Sequence, residues 1–160
     1  MQHIFSLVIW IAISAAAGAV GAIASIDAAT FYSQLERPSW APPAWLFGPV
    51  WTVLYLLMGI AAWLVWRRRE TQRVGTPLAL FIAQLAANAL WSWLFFTWHR
   101  GAWAFADIVA LLVLVAATVV AFARVRRAAG VLMVPYFAWL AYAGVLNLWV
   151  WRANPALLGT

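Results

Sequence analysis

Apolar residues occur along the chain in five long runs that short polar segments separate. Each run approaches the roughly 20 residues with which an α-helix crosses about 30 Å of hydrocarbon. The runs cover about residues 4–26, 44–66, 77–98, 103–123 and 131–151. The first run has no basic segment before it and exceeds the roughly 7 to 15 apolar residues of a signal peptide, so we predict a retained helix. The pattern predicts an all-α integral membrane protein, with residues 1–160 forming one domain of five transmembrane helices.

The longest connection, residues 27–43, lies between the first and second runs. Its residues 30–36 have the apolar spacing of a short helix, which Pro38 would end. Two consecutive prolines, Pro42 and Pro43, then fix two φ angles and lead into the next helix. Because such a loop is pre-organised, we predict that it forms a partly helical lid over a binding cavity. A simple amphipathic turn at the membrane interface is the alternative.

Composition agrees with a membrane location, since 68% of the 160 residues are hydrophobic and 9% are charged. All 10 basic residues are arginine, and the net charge is +6. They form short clusters between the apolar runs, which argues against a nucleic-acid partner. The loops after the second and fourth runs hold Arg67, Arg68, Arg69, Arg73, Arg124, Arg126 and Arg127. For a bacterial inner membrane, the positive-inside rule therefore predicts an N-terminus inside, a C-terminus outside and an outward-facing lid.

Polar and aromatic residues share one face of the third helix. Gln84 and Asn88 lie four residues apart near the bilayer centre, and Trp91 and Phe95 continue the same stripe. Amides at this depth are costly unless they face protein or a polar group of a ligand. The stripe therefore indicates either a ligand anchor or a pair that hydrogen-bonds neighbouring helices.

The fifth helix repeats this arrangement, with Pro135, Trp139, Ala143 and Asn147 at four-residue steps. The small Ala143 leaves space beside the indole of Trp139. Trp51, in the second helix, likewise lies a turn or more inside the helix end, where an indole N–H needs a partner. Together these stripes outline an aromatic pocket that suits a flat, largely apolar ligand.

Residues for conventional catalysis do not occur in recognisable patterns. The chain has no cysteine, and His3 and His99 share no spacing with other metal ligands, so we predict no metal site. There is also no Ser-His-Asp set, glycine-rich phosphate loop or carboxylate pair. Hydrolytic and phosphoryl-transfer chemistry are therefore not expected, and no cofactor is required.

Four separated motifs carry a resemblance to a known family. They read W-A-P-P at 40–43, G-P-V-W-T-V-L-Y at 48–55, Q-L-A-A-N-A-L-W at 84–91 and P-Y-F-A-W-L-A-Y-A-G-V-L-N-L-W-V-W-R-A-N at 135–154. In order and helix context these motifs resemble the TspO/MBR family, and the resemblance covers almost the whole chain from Tyr32 onward.

The resemblance implies a bundle of five membrane helices, usually dimeric, with a ligand cavity under the first loop. It also implies binding of protoporphyrin-type tetrapyrroles, sterols and benzodiazepine-site drugs. Trp51 and Trp139 match tryptophans of the porphyrin site that are linked to light-dependent porphyrin breakdown. Where a cholesterol-recognition pattern would need a tyrosine, this chain has Leu148, so we expect no sterol recognition through that pattern. Further matching lid and pocket positions are Tyr32, Trp40, Pro42, Asn88, Trp91 and Ala143.

We therefore expect a homodimeric membrane receptor or stress-linked regulator that binds tetrapyrroles, with lipids or sterols as further partners. Light- and oxygen-dependent porphyrin degradation through Trp51 and Trp139 is an alternative, as is transport of a tetrapyrrole or sterol. The predicted ligand-binding residues are Tyr32, Trp40, Pro42, Trp51, Gln84, Asn88, Trp91, Phe95, Trp139, Ala143 and Asn147.

Overall fold

A computed structural model of the chain describes residues 2–159, which form helices and connecting turns and contain no β-strand. Five helices are long and apolar enough to cross a membrane, which confirms the predicted all-α membrane bundle. The helices are α1 (Gln2–Ala24), α2 (Ala28–Gln34), α3 (Ala44–Trp66), α4 (Gly75–Ser92), α5 (Gly101–Val125), α6 (Arg127–Ala153) and α7 (Pro155–Leu158). A π-helical turn at Trp93–Thr97 extends α4.

Several helix boundaries differ from those predicted, most of them by about two residues. The fifth membrane helix begins at Arg127 instead of about residue 131, because the extended backbone of Arg126 alone separates α5 from α6. The short loop helix occupies 28–34 instead of 30–36. It ends where Leu35 adopts an extended backbone, three residues before Pro38, and the carbonyl of Asp27 begins it by accepting the Phe31 N–H at 2.9 Å.

The five membrane helices form a closed ring in the order α1, α3, α6, α5, α4. Two glycines permit close approach of helix backbones within this ring. A Cβ added to Gly59 would lie 2.7 Å from the Ile11 Cα, and one added to Gly130 would lie 2.6 Å from the Ala123 Cβ. Both contacts lie in the half of the bundle toward the arginine-rich loops, and they pack that half tightly.

The lid lies across the opposite end of the ring. It consists of α2 and the loop to residue 43, and its Phe31, Tyr32 and Leu35 are buried in a small core beneath it. The Phe31 ring stacks on His99 with centroids 4.2 Å apart. The lid is therefore packed onto the bundle, and it covers the end opposite the arginine-rich loops.

Candidate functional site

A cavity of about 850 Å³ lies inside the ring beneath the lid. Its volume is within the roughly 300 to 1,000 Å³ range of pockets that hold drug-sized ligands. No described side chain in the lining is charged, and the aromatic part of the wall consists of Tyr32, Phe47, Trp51, Tyr55, Trp91, Phe96 and Trp139. The predicted Ala143 also lies in the lining. The arrangement favours a large, mainly apolar ligand with an aromatic surface.

The side chains of Trp51 and Trp139 pack against other aromatic rings. Trp51 stacks on Tyr55 with centroids 5.5 Å apart and meets the edge of Tyr136 at 6.1 Å. Trp139 packs edge-on to Phe47 at 6.0 Å. The Trp139 indole N–H is buried and makes no hydrogen bond to the residues that the structure describes. Rigid rings on the α3 and α6 sides of the cavity therefore offer faces on which a planar ligand can stack.

Asn88 supplies a side-chain amide to the cavity wall. Its side-chain oxygen accepts a hydrogen bond from the Tyr55 hydroxyl across the gap between α4 and α3. Asn88 is only 5% exposed, yet it lines the cavity. With the oxygen engaged, the side-chain NH₂ is the group that can donate to a carbonyl or carboxylate of a ligand.

Trp91 lines the cavity, whereas its partner Asn147 does not. The Trp91 indole N–H donates to the Asn147 side-chain oxygen at 2.9 Å, which links α4 to α6. Asn147 is 3% exposed, so its amide orients the indole instead of facing a ligand. The prediction that Asn147 lines the cavity is therefore wrong.

Gln84 and Phe95 also lie outside the lining, for two different reasons. Gln84 is fully buried one turn deeper, where its amide NH₂ faces the Met58 sulfur at 3.8 Å. Phe95 follows Trp91 by four residues and stacks on it, but the π-helical turn shifts the register at this point. As a result Phe96 faces the cavity, and Phe95 is buried against Phe31 beneath the lid.

Of the three predicted lid residues, Tyr32 lines the cavity, and Trp40 and Pro42 do not. The Tyr32 hydroxyl donates to the Pro42 carbonyl at 3.1 Å, and the Tyr142 hydroxyl donates to the Trp40 carbonyl at 2.9 Å. Burial raises the pKa of Tyr32 above its ordinary value, although the Arg37 guanidinium, 4.6 Å from the ring centroid, opposes the shift. Trp40 and Pro42 thus shape the lid through backbone carbonyls.

Asn154 fastens the lid to the bundle, a role that sequence reasoning missed. The Glu36 N–H donates to its side-chain oxygen at 2.8 Å, and its NH₂ donates to the Glu36 carbonyl at 2.9 Å. The same NH₂ donates to the Val150 carbonyl at 2.8 Å, which fixes the side chain on α6. Asn154 ends the fourth sequence motif, but 118 residues separate it from Glu36, and no periodicity connects them.

The helix ring and its uncharged cavity define an integral membrane protein with a ligand-sized pocket inside its bundle. The family model described as TspO/MBR matches residues 9–152. The chain belongs to the TspO/MBR family.

Similar proteins come from an animal and from bacteria. The human "Translocator protein" is 42% identical over 126 residues, which are 78% of this chain and 75% of that protein. The "Tryptophan-rich protein TspO" of Chlorobaculum tepidum is 37% identical over 159 residues, covering 96% and 99% of the two chains. The "Tryptophan-rich sensory protein" of Cereibacter sphaeroides is 42% identical over 124 residues, covering 78% and 77%. These relatives support a role as a membrane receptor or regulator.

Proposed function

We propose that the protein is a membrane receptor that binds protoporphyrin-type tetrapyrroles in the cavity under the lid. Related hydrophobic molecules, such as benzodiazepine-site drugs, would occupy the same space. The observation that carries the proposal is the uncharged aromatic wall, with Trp51 on α3 and Trp139 on α6. A planar macrocycle gains both apolar burial and ring stacking in such surroundings.

Polar contacts would orient the ligand. Asn88 lines the cavity, and its side-chain NH₂ group would donate to one ligand oxygen. A buried carboxylate without a cation is costly, and the described lining supplies none. We therefore expect the porphyrin ring to lie between the aromatic walls and its propionates to point out of the cavity.

Titration of tryptophan fluorescence with protoporphyrin tests this assignment. Trp139→Phe reduces a stacking surface and Asn88→Leu removes the donor, so each should weaken binding on the order of tenfold, or about 1.4 kcal/mol. Trp98→Phe is the matched control, since Trp98 is 52% exposed and lies outside the lining. Wild-type affinity in both cavity variants would rule out this site.

Light-dependent porphyrin degradation is a second candidate, favoured by the presence of Trp51 and Trp139 in the lining of the same cavity. Trp51 and Trp139 are the residues expected to sustain it. Illumination of the protoporphyrin complex in air, with dioxygen as the oxidant, separates the two candidates. A receptor without this activity should yield no discrete photoproduct. Degradation through these residues should yield a product that is lost in Trp51→Phe and Trp139→Phe.

The orientation in the membrane is part of the proposal. The turns after α3 and α5, together with the helix ends beside them, carry seven of the ten arginines and lie at the end of the bundle opposite the lid. We expect this end to face the cytoplasm and the lid to face outward. Because the chain has no cysteine, single cysteines at Gln72 and Ser39 can report their side through labelling by an impermeant maleimide in intact cells. Preferential labelling at Gln72 would contradict the orientation.

A further inference from the structure

Helices α1 and α3 pack closely in the part of the bundle away from the lid. Their backbones approach each other at Ile11 and Gly59. One step nearer the lid, a Cβ added to Gly18 would lie 2.7 Å from the Tyr55 ring, so this pair also closes the gap. Ile11, Gly18 and Tyr55 also line the cavity, which extends from these contacts toward the lid, past the level where Tyr55 reaches Asn88.

The seam between α1 and α3 is open on the lid side of these contacts. Residues of the two helices that line the cavity and are also exposed include Ala19, Ala22, Gly48, Thr52 and Leu56. A Cβ added to Gly48 would meet nothing within 4 Å. Since both helices are membrane-spanning segments, an opening at these residues faces lipid chains and not water.

The neighbouring seams are closed by specific contacts. The Thr97 hydroxyl donates to the Ala24 carbonyl at 3.1 Å and joins the lid-side ends of α4 and α1. Ring contacts of Trp51 with Tyr136 and of Phe47 with Trp139 join α3 to α6. The lid itself is attached to α6 through Asn154.

We propose that the α1–α3 seam is a lateral portal through which the ligand passes between the cavity and the lid-side leaflet, with the lid remaining in place. This inference rests on the proposed function and adds the ligand's route. A porphyrin-type amphiphile partitions into the bilayer, so the portal meets the ligand where it is most concentrated. A ligand seated through this opening can also leave its propionates near the lipid headgroups, which avoids burying charge in the uncharged cavity.

A reversible plug at the portal tests the route. Gly48→Cys introduces the one cysteine of the chain at the rim, and a benzyl methanethiosulfonate attaches a bulky group there. In lipid nanodiscs, labelling should slow both association and dissociation of protoporphyrin on the order of tenfold, measured by stopped-flow tryptophan quenching. A reductant should restore both rates. Ala22→Cys provides a second plug from the α1 side, should the first variant fold poorly.

Val109→Cys is the matched control, because Val109 is 46% exposed on α5 and lies outside the cavity lining. Its labelling should change neither rate. Unchanged association and dissociation rates after labelling both Gly48→Cys and Ala22→Cys would overturn the portal. The case against it would be clearest if Asn154→Ala, which loosens the lid, also made protoporphyrin bind and leave faster. Absence of saturable quenching in the wild-type protein would overturn the proposed function, and the portal with it.

Discussion

Replacement of Asn154 by alanine should loosen the lid without unfolding the bundle. The substitution removes two hydrogen bonds to the Glu36 backbone and one to the Val150 carbonyl. Of these three bonds, the two to Glu36 connect the lid with α6. At about 0.5 to 1.5 kcal/mol each, they stabilise the attached lid by about 1 to 3 kcal/mol, which corresponds to a 5- to 150-fold shift in its opening equilibrium.

Hydrogen–deuterium exchange measures that shift directly. Backbone amides in residues 28–41 should exchange about 5 to 150 times faster in Asn154→Ala, because exchange reports the population of the open lid. Amides in the middle of α5 should keep their protection, which shows within the same experiment that the bundle is intact. Tyr142→Phe removes one exposed bond to the Trp40 carbonyl and should accelerate lid exchange only about two- to fivefold.

The result that would refute this reasoning is unchanged lid exchange in Asn154→Ala. In that case the apolar contacts of Phe31 and Leu35 would suffice to hold the lid, and the hydrogen bonds would be incidental. A loss of protection throughout α5 would also contradict it, because the Asn154 contacts would then support the bundle as a whole.

Two further predictions follow from particular contacts. Gly59→Ala forces the backbones of α1 and α3 apart at Ile11 and should destabilise the protein by about 1 to 3 kcal/mol in thermal unfolding. Gly48→Ala should not destabilise it, because the added Cβ meets open space. Equal effects of the two substitutions would contradict the role of close approach. Burial raises the pKa of Tyr32 above its ordinary value of 10.0. The titration of Tyr32 therefore leaves the free energy of unfolding unchanged well below pH 10.0 and lowers it as the pH rises through and beyond 10.0 toward the folded-state pKa. Tyr32→Phe should flatten that part of the unfolding profile, and an unchanged slope would rule out this residue as the cause.

The membrane helices could be predicted because hydrocarbon leaves the backbone few choices. Every amide must bond within its own helix, so a long apolar run has one favourable structure. The ends of these helices were less predictable, because the arginines beside α6 lie where the chain reaches polar surroundings. A helix can continue there, and Arg127 begins α6 although it lies outside the apolar run.

Spacing along a single helix predicted part of the cavity wall. Four-residue stripes and three-residue steps predict Asn88, Trp91, Trp139 and Ala143, and all four line the cavity. Gln84 lies on the same stripe but below the cavity floor. The depth of that floor depends on where α3 meets α4, which no property of one helix reveals.

Residues that act between distant parts of the chain were beyond such reasoning. Asn147 has the predicted stripe position, yet the Trp91 indole on another helix engages it. Asn154 binds the backbone of Glu36, and backbone acceptors leave no pattern in side-chain identity. Both amides could be recognised as polar groups in apolar surroundings, but their partners required the tertiary structure.

The π-helical turn at Trp93–Thr97 affects how residues are compared between relatives. Such a turn carries one residue more than the α-helical turn that it replaces, so it behaves as a local insertion within an otherwise continuous helix. A relative with a regular α-helix here would present the residue aligned with Phe95, and not the one aligned with Phe96, to its cavity. Two sequences can therefore share both phenylalanines in gapless alignment and still build their cavities from different ones.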